Sequence, residues 1–483
     1  MRKILLFLII GILITTEYGA ATTTPNNENN SSNVNAEKYD FLIITSQNLV
    51  GSITSSTFIE WKTQIGFKIK IVTLSDTEIA NQPGCDIAEQ IRNFLRAYYT
   101  SWGIEYVLLV GDIVTIPMRY CYPDPENHKN FAGHPILYDL FIGGEIPTDF
   151  YYSDLSFPDN ESWDLDRDGY YGEIDEDLPD FDSEVFVSRI PTSNMKKITY
   201  VLDKTVRYEK DTGDWKNHAL HAGAFSYFDN ETNRHGDKYL LHDGACLMNE
   251  IEEHLMDEEW TISHYSEKHG RIISAYSWNA LNENAFVSDW RDNNYGVVNF
   301  ASHNYPFIAT RKIWRWDDGD NIPESFEMMY PKFLSVRSKL DDDHPSIVFA
   351  KGCLIGYPEK NIFGNLGVDL LTKPGFGAAV NVLSCTRSPI IQRYYPELPG
   401  GSDSMCYEFN RFLIQGSNGT ETTGEAFYHM KHYYHYNISF FILWGHIPEY
   451  ARNAKIADYK NLFNFNLYGD PSLRRCGVIV EKK

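Results

Sequence analysis

Gly-Val-Val-Asn-Phe-Ala-Ser-His (Gly296 to His303) and Ser-Ile-Val-Phe-Ala-Lys-Gly-Cys (Ser346 to Cys353) are short apolar runs, each ending abruptly on a side chain able to do chemistry. Their length and apolar content fit buried parallel strands. Two such strands lying side by side would present a histidine and a cysteine together at the carboxyl edge of a sheet, where open α/β folds place their sites. An imidazole beside a thiol is the minimum equipment of a cysteine nucleophile, because the thiolate is the reactive species. Each residue alone reads equally well as a buried strand-end side chain. It is the pair that points to chemistry. Gly352 and Gly356 flank the cysteine, and such glycine-flanked turns let backbone N–H groups face a reacting carbonyl.

Working outward, Phe41-Leu42-Ile43-Ile44, Lys68 to Val72 and Tyr106 to Val110 read as strands separated by helical patterns near Phe58 to Lys62 and over Ile87 to Tyr99. This β-α-β-α-β order predicts a parallel sheet with right-handed crossovers. Cys121 to Asp182 is rich in Pro, Gly, Asp and Tyr and reads as a long irregular excursion. Regular structure returns with a strand over Glu184 to Pro191 and a helix over Asn194 to Glu209, and alternation resumes from Trp215. The 483 residues exceed one ordinary core, so two adjacent subdomains are expected. The boundaries read as a signal peptide over 1–21, a polar leader over 22–38, an N-terminal α/β subdomain over 39–195 and a second subdomain over 196–478.

A formal charge of −23 argues against a nucleic-acid partner, which requires a basic surface. Met1-Arg2-Lys3, the apolar run Leu5 to Ile14 and Gly19-Ala20-Ala21 form an export signal, so a secreted protein, free of the membrane after cleavage, is expected. Seven cysteines lie without any C-x-x-C spacing, which removes zinc-ribbon and thioredoxin readings, and the odd count leaves at least one thiol outside intramolecular pairing. Neither the disulfide pattern nor the oligomeric state is readable from one sequence.

Trp163-Asp-Leu-Asp-Arg-Asp-Gly169 spaces three carboxylates at alternate positions before a glycine, as the first half of a calcium loop does. The expected ligands are Asp164, Asp166, Asp168, the Tyr170 carbonyl, Glu173 and Asp175. A structural Ca²⁺ there would neutralise the carboxylates and pin the excursion. His429, His432 and His435 share a helical face, but their tyrosine-rich surroundings read as packing rather than as a metal site.

The order of strand–His, then strand–Cys about fifty residues later, resembles the caspase-like cysteine peptidases, and among them the gingipain-type peptidases of family C25. The resemblance runs from about Tyr39 to Leu473. It is carried by Tyr106-Val-Leu-Leu-Val-Gly-Asp112 with Ile116-Pro117, Glu184-Val-Phe-Val-Ser-Arg189, Ser302-His303, Gly352-Cys353 and Gly469-Asp-Pro-Ser-Leu473. It implies two adjacent α/β/α subdomains with mostly parallel sheets, the second caspase-like and catalytic. It also implies an endopeptidase acting on peptide or protein substrates through a dyad of His303 and Cys353, with Glu184 as the carboxylate that orients the imidazole. Without the resemblance, Glu184 reads as a surface ion-pair residue. The family's usual glycine after the histidine is Asn304 here, and its usual alanine before the cysteine is Gly352. Backbone N–H groups of Asn304 and Cys353 would bind the oxyanion. The alternative is an exported peptide- or protein-binding homologue with impaired turnover. Arg-specific relatives carry an acid in the pocket for the residue before the scissile bond, and Pro191 to Lys197 offers none, so that specificity does not carry over.

Overall fold

The computed structural model describes residues 37–126, 145–155, 163–232, 238–392, 395–439, 445 and 448–477. The expected signal peptide and nearly all of the expected polar leader lie outside them, as do residue 478 and other residues of the expected second subdomain. The described residues from 38 onward include an 11-stranded sheet. In chain order its strands are β1 (Phe41–Thr45), β2 (Ile69–Thr73), β3 (Tyr106–Val110), β4 (Phe186–Ile190), β5 (His218–Gly223), β6 (Thr261–Ser266), β7 (Asn279–Ala280), β8 (Val297–Ala301), β9 (Ser346–Lys351), β10 (Ala379–Cys385) and β11 (Phe465–Tyr468). In space they run β7-β6-β5-β8-β9-β10-β11-β4-β3-β1-β2. Neighbours are parallel except β10 and β11, which are antiparallel. The strands from 39–195 thus form one parallel set and those from 218–385 another, pointing the opposite way. The late strand β11 joins the two.

Burial on both faces explains the continuous apolar runs. In β1, Leu42 and Ile44 face one core while Phe41 and Ile43 face the other. The first core packs α1 (Ile87–Trp102), α3 (Gly244–Leu255), α6 (Gly401–Gln415) and α7 (Thr423–Tyr433) against the sheet. The second packs α2 (Met195–Lys210), α4 (Glu283–Asp292) and α5 (Leu366–Thr372). The result is the expected α/β/α layering. Helix ends follow local chemistry. Asp86 caps α1 by accepting from Glu89 N–H, and Gly103 stops it with φ +76°, while Asn194 caps α2 by accepting from Lys197 N–H.

Arg189, Gly469 and Asp470, from the motifs quoted above, act as scaffold. Buried Arg189 on β4 pairs with Asp149 at 2.6 Å and donates to the carbonyls of Gly111 and Ile116. Gly469 N–H donates to Arg189 O at 2.9 Å. Asp470 meets buried Lys62 at 2.6 Å, and Lys62 also pairs with Glu209 of α2. A charge taken out of water needs such partners, so these residues fasten the turns around β11. All seven cysteines are free thiols, with Cys121, Cys385 and Cys406 fully buried.

Candidate active site

Strand register brings the two opening segments together. β8 and β9 are parallel neighbours, with Ala301 opposite Lys351, so His303 and Cys353 each stand two residues beyond a matched pair. Ser302 N–H donates to Lys351 O at 3.1 Å, which continues the ladder up to the two residues. Adjacent strands are about 4.8 Å apart, so the two residues follow neighbouring strand ends at one sheet edge.

The cysteine turn is strained. Gly352 has φ +146° and Leu354 has φ +64°. A left-handed leucine costs roughly 1–2 kcal/mol and persists only where its surroundings over-determine it. Here Leu354 is buried, its N–H donates to Arg387 O at 3.3 Å, and Gly356 N–H donates to Cys385 O at 2.9 Å. The turn is thereby sewn to the end of β10. The Cys353 thiol hydrogen-bonds with Ser388, just beyond β10, and its own backbone N–H lies beside the sulfur. Burial pushes the thiol up from its ordinary range, opposed by the Ser388 bond and by the charges of Lys460 and Lys351.

His303 opens a short strand, His303–Tyr305, that pairs antiparallel with Ile308–Thr310. Its Nε2 lies 3.0 Å from the carbonyl of Ser226, in the segment after β5. A carbonyl only accepts, so Nε2 carries the proton and Nδ1 is the basic nitrogen. Burial, then the nearby Lys312 ammonium, drives the imidazole down to about 3. Lys312 is itself paired with Glu231. Both shifts favour the uncharged forms, a neutral imidazole and a neutral thiol, at neutral pH.

Beneath the cysteine turn, Lys351 meets Asp403 of α6 at 2.8 Å, and His242 Nε2 lies 3.2 Å from the same carboxylate oxygen. Burial raises the Asp403 carboxyl, but Lys351 and His242 outweigh it and hold the group well below the usual range. This buried cluster anchors the end of β9 to α6.

The family model for peptidase family C25 matches residues 34–475. The chain belongs to peptidase family C25. As a C25 member it is a cysteine peptidase. No curated protein matches it. Among solved structures it is similar to the Arg-specific cysteine proteinase gingipain R, with 16% identity, a TM-score of 0.57, and 92% of this chain and 79% of that chain covered. A complex of the pro- and mature domains of that enzyme from Porphyromonas gingivalis aligns at 16% identity and TM-score 0.53, over 90% and 79% of the chains. A further structure described as a protease aligns at 13% identity and TM-score 0.56, over 92% and 79%. These likenesses show a common fold, and with it the caspase-like arrangement.

Glu184 requires a correction within this C25 chain. It precedes β4, and β8 and β4 are separated by β9, β10 and β11. Four inter-strand steps amount to about 19 Å, beyond the reach of any side chain. The Glu184 carboxylate instead accepts from Leu155 N–H at 2.6 Å and fastens the excursion to the sheet. The imidazole is oriented by the Ser226 carbonyl. No sequence signal marks that contact, because any residue supplies a backbone oxygen. Lys312, Ser388 and Lys460 were likewise invisible, being far apart in the chain.

The acidic loop also departs in one position. Carboxylate oxygens of Asp164, Asp166 and Asp168 lie within 4.8 Å of one another, as do those of Asp166, Glu173 and Glu176. Asp175 is not in this group: its backbone is left-handed, and its carboxylate pairs with Lys455 of α8 (Pro448–Asn464). Glu176, one residue on, takes its place. Glu173 is 0% exposed, and burial together with Asp168 and Glu176 pushes it up to about 8. Asp177 braces the loop by accepting from Leu165 and Glu173 N–H. This all-oxygen donor set suits a hard cation. His429, His432 and His435 diverge, to Glu421, to Asp182 and against the Phe181 ring respectively.

Proposed function

We propose that this C25 chain is a secreted cysteine endopeptidase using Cys353 and His303, with a fold stabilised by Ca²⁺. The observation that carries the proposal is the Ala301–Lys351 register, which sets the two reactive side chains on neighbouring strand ends. On attack, the Cys353 sulfur bonds to the scissile carbonyl carbon while its proton passes to His303 Nδ1. The carbonyl electron pair moves to oxygen, held by backbone N–H groups of Cys353 and Asn304. Collapse breaks the C–N bond, and His303 returns the proton to the leaving amine. Water, deprotonated by the same imidazole, then hydrolyses the thioester. The Ser226 carbonyl keeps the Nε2 proton in place throughout.

Asp164, Asp166, Asp168, Glu173 and Glu176, with the Tyr170 carbonyl, would hold the calcium. It would neutralise the loop that packs Trp163 into the first core. The test is hydrolysis of a mixed peptide library under reducing conditions with calcium. Wild type should cleave internal bonds and Cys353→Ala should not. Equal inertness of the two would favour the reading of a binding homologue without turnover.

A further inference from the structure

A pocket of about 270 Å³ is lined by Tyr227, Tyr239, Leu240, His242, Pro389, Ile390 and Ile391. Its walls begin where the two halves of the dyad are anchored. Ser226, which holds the imidazole, is followed by Tyr227, and Ser388, which bonds the thiol, is followed by Pro389. Tyr227 is also close enough to Cys353 to sense its charge. A substrate whose carbonyl sits on Cys353 therefore drops its nearest side chain here.

The lining decides what that side chain is. Tyr227 and Tyr239 stack with ring centroids 3.7 Å apart, making one flat aromatic wall. Leu240, Pro389, Ile390 and Ile391 complete an apolar shell, and among the described residues no carboxylate lines it. Asp403, which lies beside His242, is paired with Lys351. His242 is 4% exposed; its Nε2 lies 3.2 Å from Asp403, and neither ring nitrogen has a hydrogen-bond partner among the described residues. A hydroxyl is able to serve Nδ1 in either protonation state, since it both donates and accepts.

We infer that the pocket selects a large apolar residue before the scissile bond, with tyrosine preferred over phenylalanine through His242. This rests on the endopeptidase reading above. Burying a guanidinium or carboxylate in such a shell without a partner is costly, so Tyr, Phe and Leu should exceed Arg, Lys and Asp by about 100-fold in kcat/KM.

The experiment is a fluorogenic peptide series varied only at that residue, run on wild type and on Ile390→Asp. Wild type should prefer Tyr, then Phe and Leu, and Ile390→Asp should gain cleavage after Arg. Preference of wild type for Arg, Lys or Asp, or a flat profile, overturns the pocket assignment while leaving the peptidase reading intact. Inertness toward every member of the series overturns both. His242→Asn should equalise Tyr and Phe, and an unchanged Tyr-to-Phe ratio removes the His242 contact.

Discussion

A Cβ on Gly352 would lie 2.2 Å from Asn304 Nδ2 and 2.3 Å from Ser302 O. The residue before the nucleophile and the residue after the histidine thus compete for one space. Asn304 is 5% exposed, and Ser302 Oγ donates to its Oδ1 at 2.6 Å, which holds the amide against the glycine. Where the family resemblance implies glycine after the histidine and alanine before the cysteine, this chain has the larger residue on β8's side and the smaller on β9's. The two departures belong together, and Asn304 does not by itself indicate a damaged site.

That coupling is measurable. Gly352→Ala should lower stability by about 1–3 kcal/mol through overpacking and reduce kcat/KM by about tenfold or more. Adding Asn304→Gly should recover part of the loss, the Ser302 carbonyl retaining the remainder. A double-mutant cycle on urea unfolding should give a coupling above about 0.5 kcal/mol, and strictly additive effects would contradict the shared space.

Glu184 should behave as a structural residue. Glu184→Gln weakens the bond to Leu155 N–H and should cost about 1 kcal/mol of stability. Its kcat/KM should stay within about threefold of wild type, whereas loss of an orienting catalytic group costs about 100-fold or more. Kinetics beside thermal unfolding separate the two outcomes.

Acid should destabilise the fold early. His221 and His303 are held down to about 3 and His435 to about 4, in each case chiefly by burial. Unfolded imidazoles titrate near 6.5, so between these values the unfolded chain binds more protons. Stability is complete above pH 6.5 and falls as pH drops toward 3–4, with fully buried His221 alone costing on the order of 1–2 kcal/mol by pH 5. Urea midpoints at pH 7 and pH 5 check this, and His221→Gln should flatten the difference.

Calcium should stabilise the excursion. Adding millimolar CaCl₂ to chelator-treated protein should raise the Tm by several degrees, and Asp166→Asn, which removes the charge of the one residue common to both carboxylate groups, should abolish most of the rise. Asp175→Asn should leave it intact, because that carboxylate is engaged by Lys455. A Tm indifferent to calcium in wild type contradicts the cation site.

What was legible in the sequence followed short-range rules. Continuous apolar runs gave β1, β3, β8 and β9, and helical patterning over Ile87 to Tyr99 and Asn194 to Glu209 gave α1 and α2. The His–Cys pair was legible because both residues directly follow such runs. β11 was not read as a strand, although it joins the two parallel sets, because Phe465–Tyr468 is short and carries an asparagine in a helix-following context. Glu184 was misplaced because a motif match conveys order along the chain and not distance across a sheet. The left-handed Leu354 escaped notice since leucine seldom adopts that conformation, and only tertiary contacts hold it there. The Ser226 and Ser388 contacts arise from segments distant in sequence, so only the assembled fold displays them.

The central claim, that Cys353 and His303 act as one unit, is tested most directly by a peptidyl acyloxymethyl ketone ending in tyrosine, followed by peptide mapping of the adduct. The account predicts a single adduct on Cys353 near neutral pH, formed at least about 100-fold more slowly in His303→Ala. Little labelling by small iodoacetamide is expected at that pH, since the free thiol is held up. An adduct on another cysteine, or equal labelling rates in wild type and His303→Ala, would contradict it.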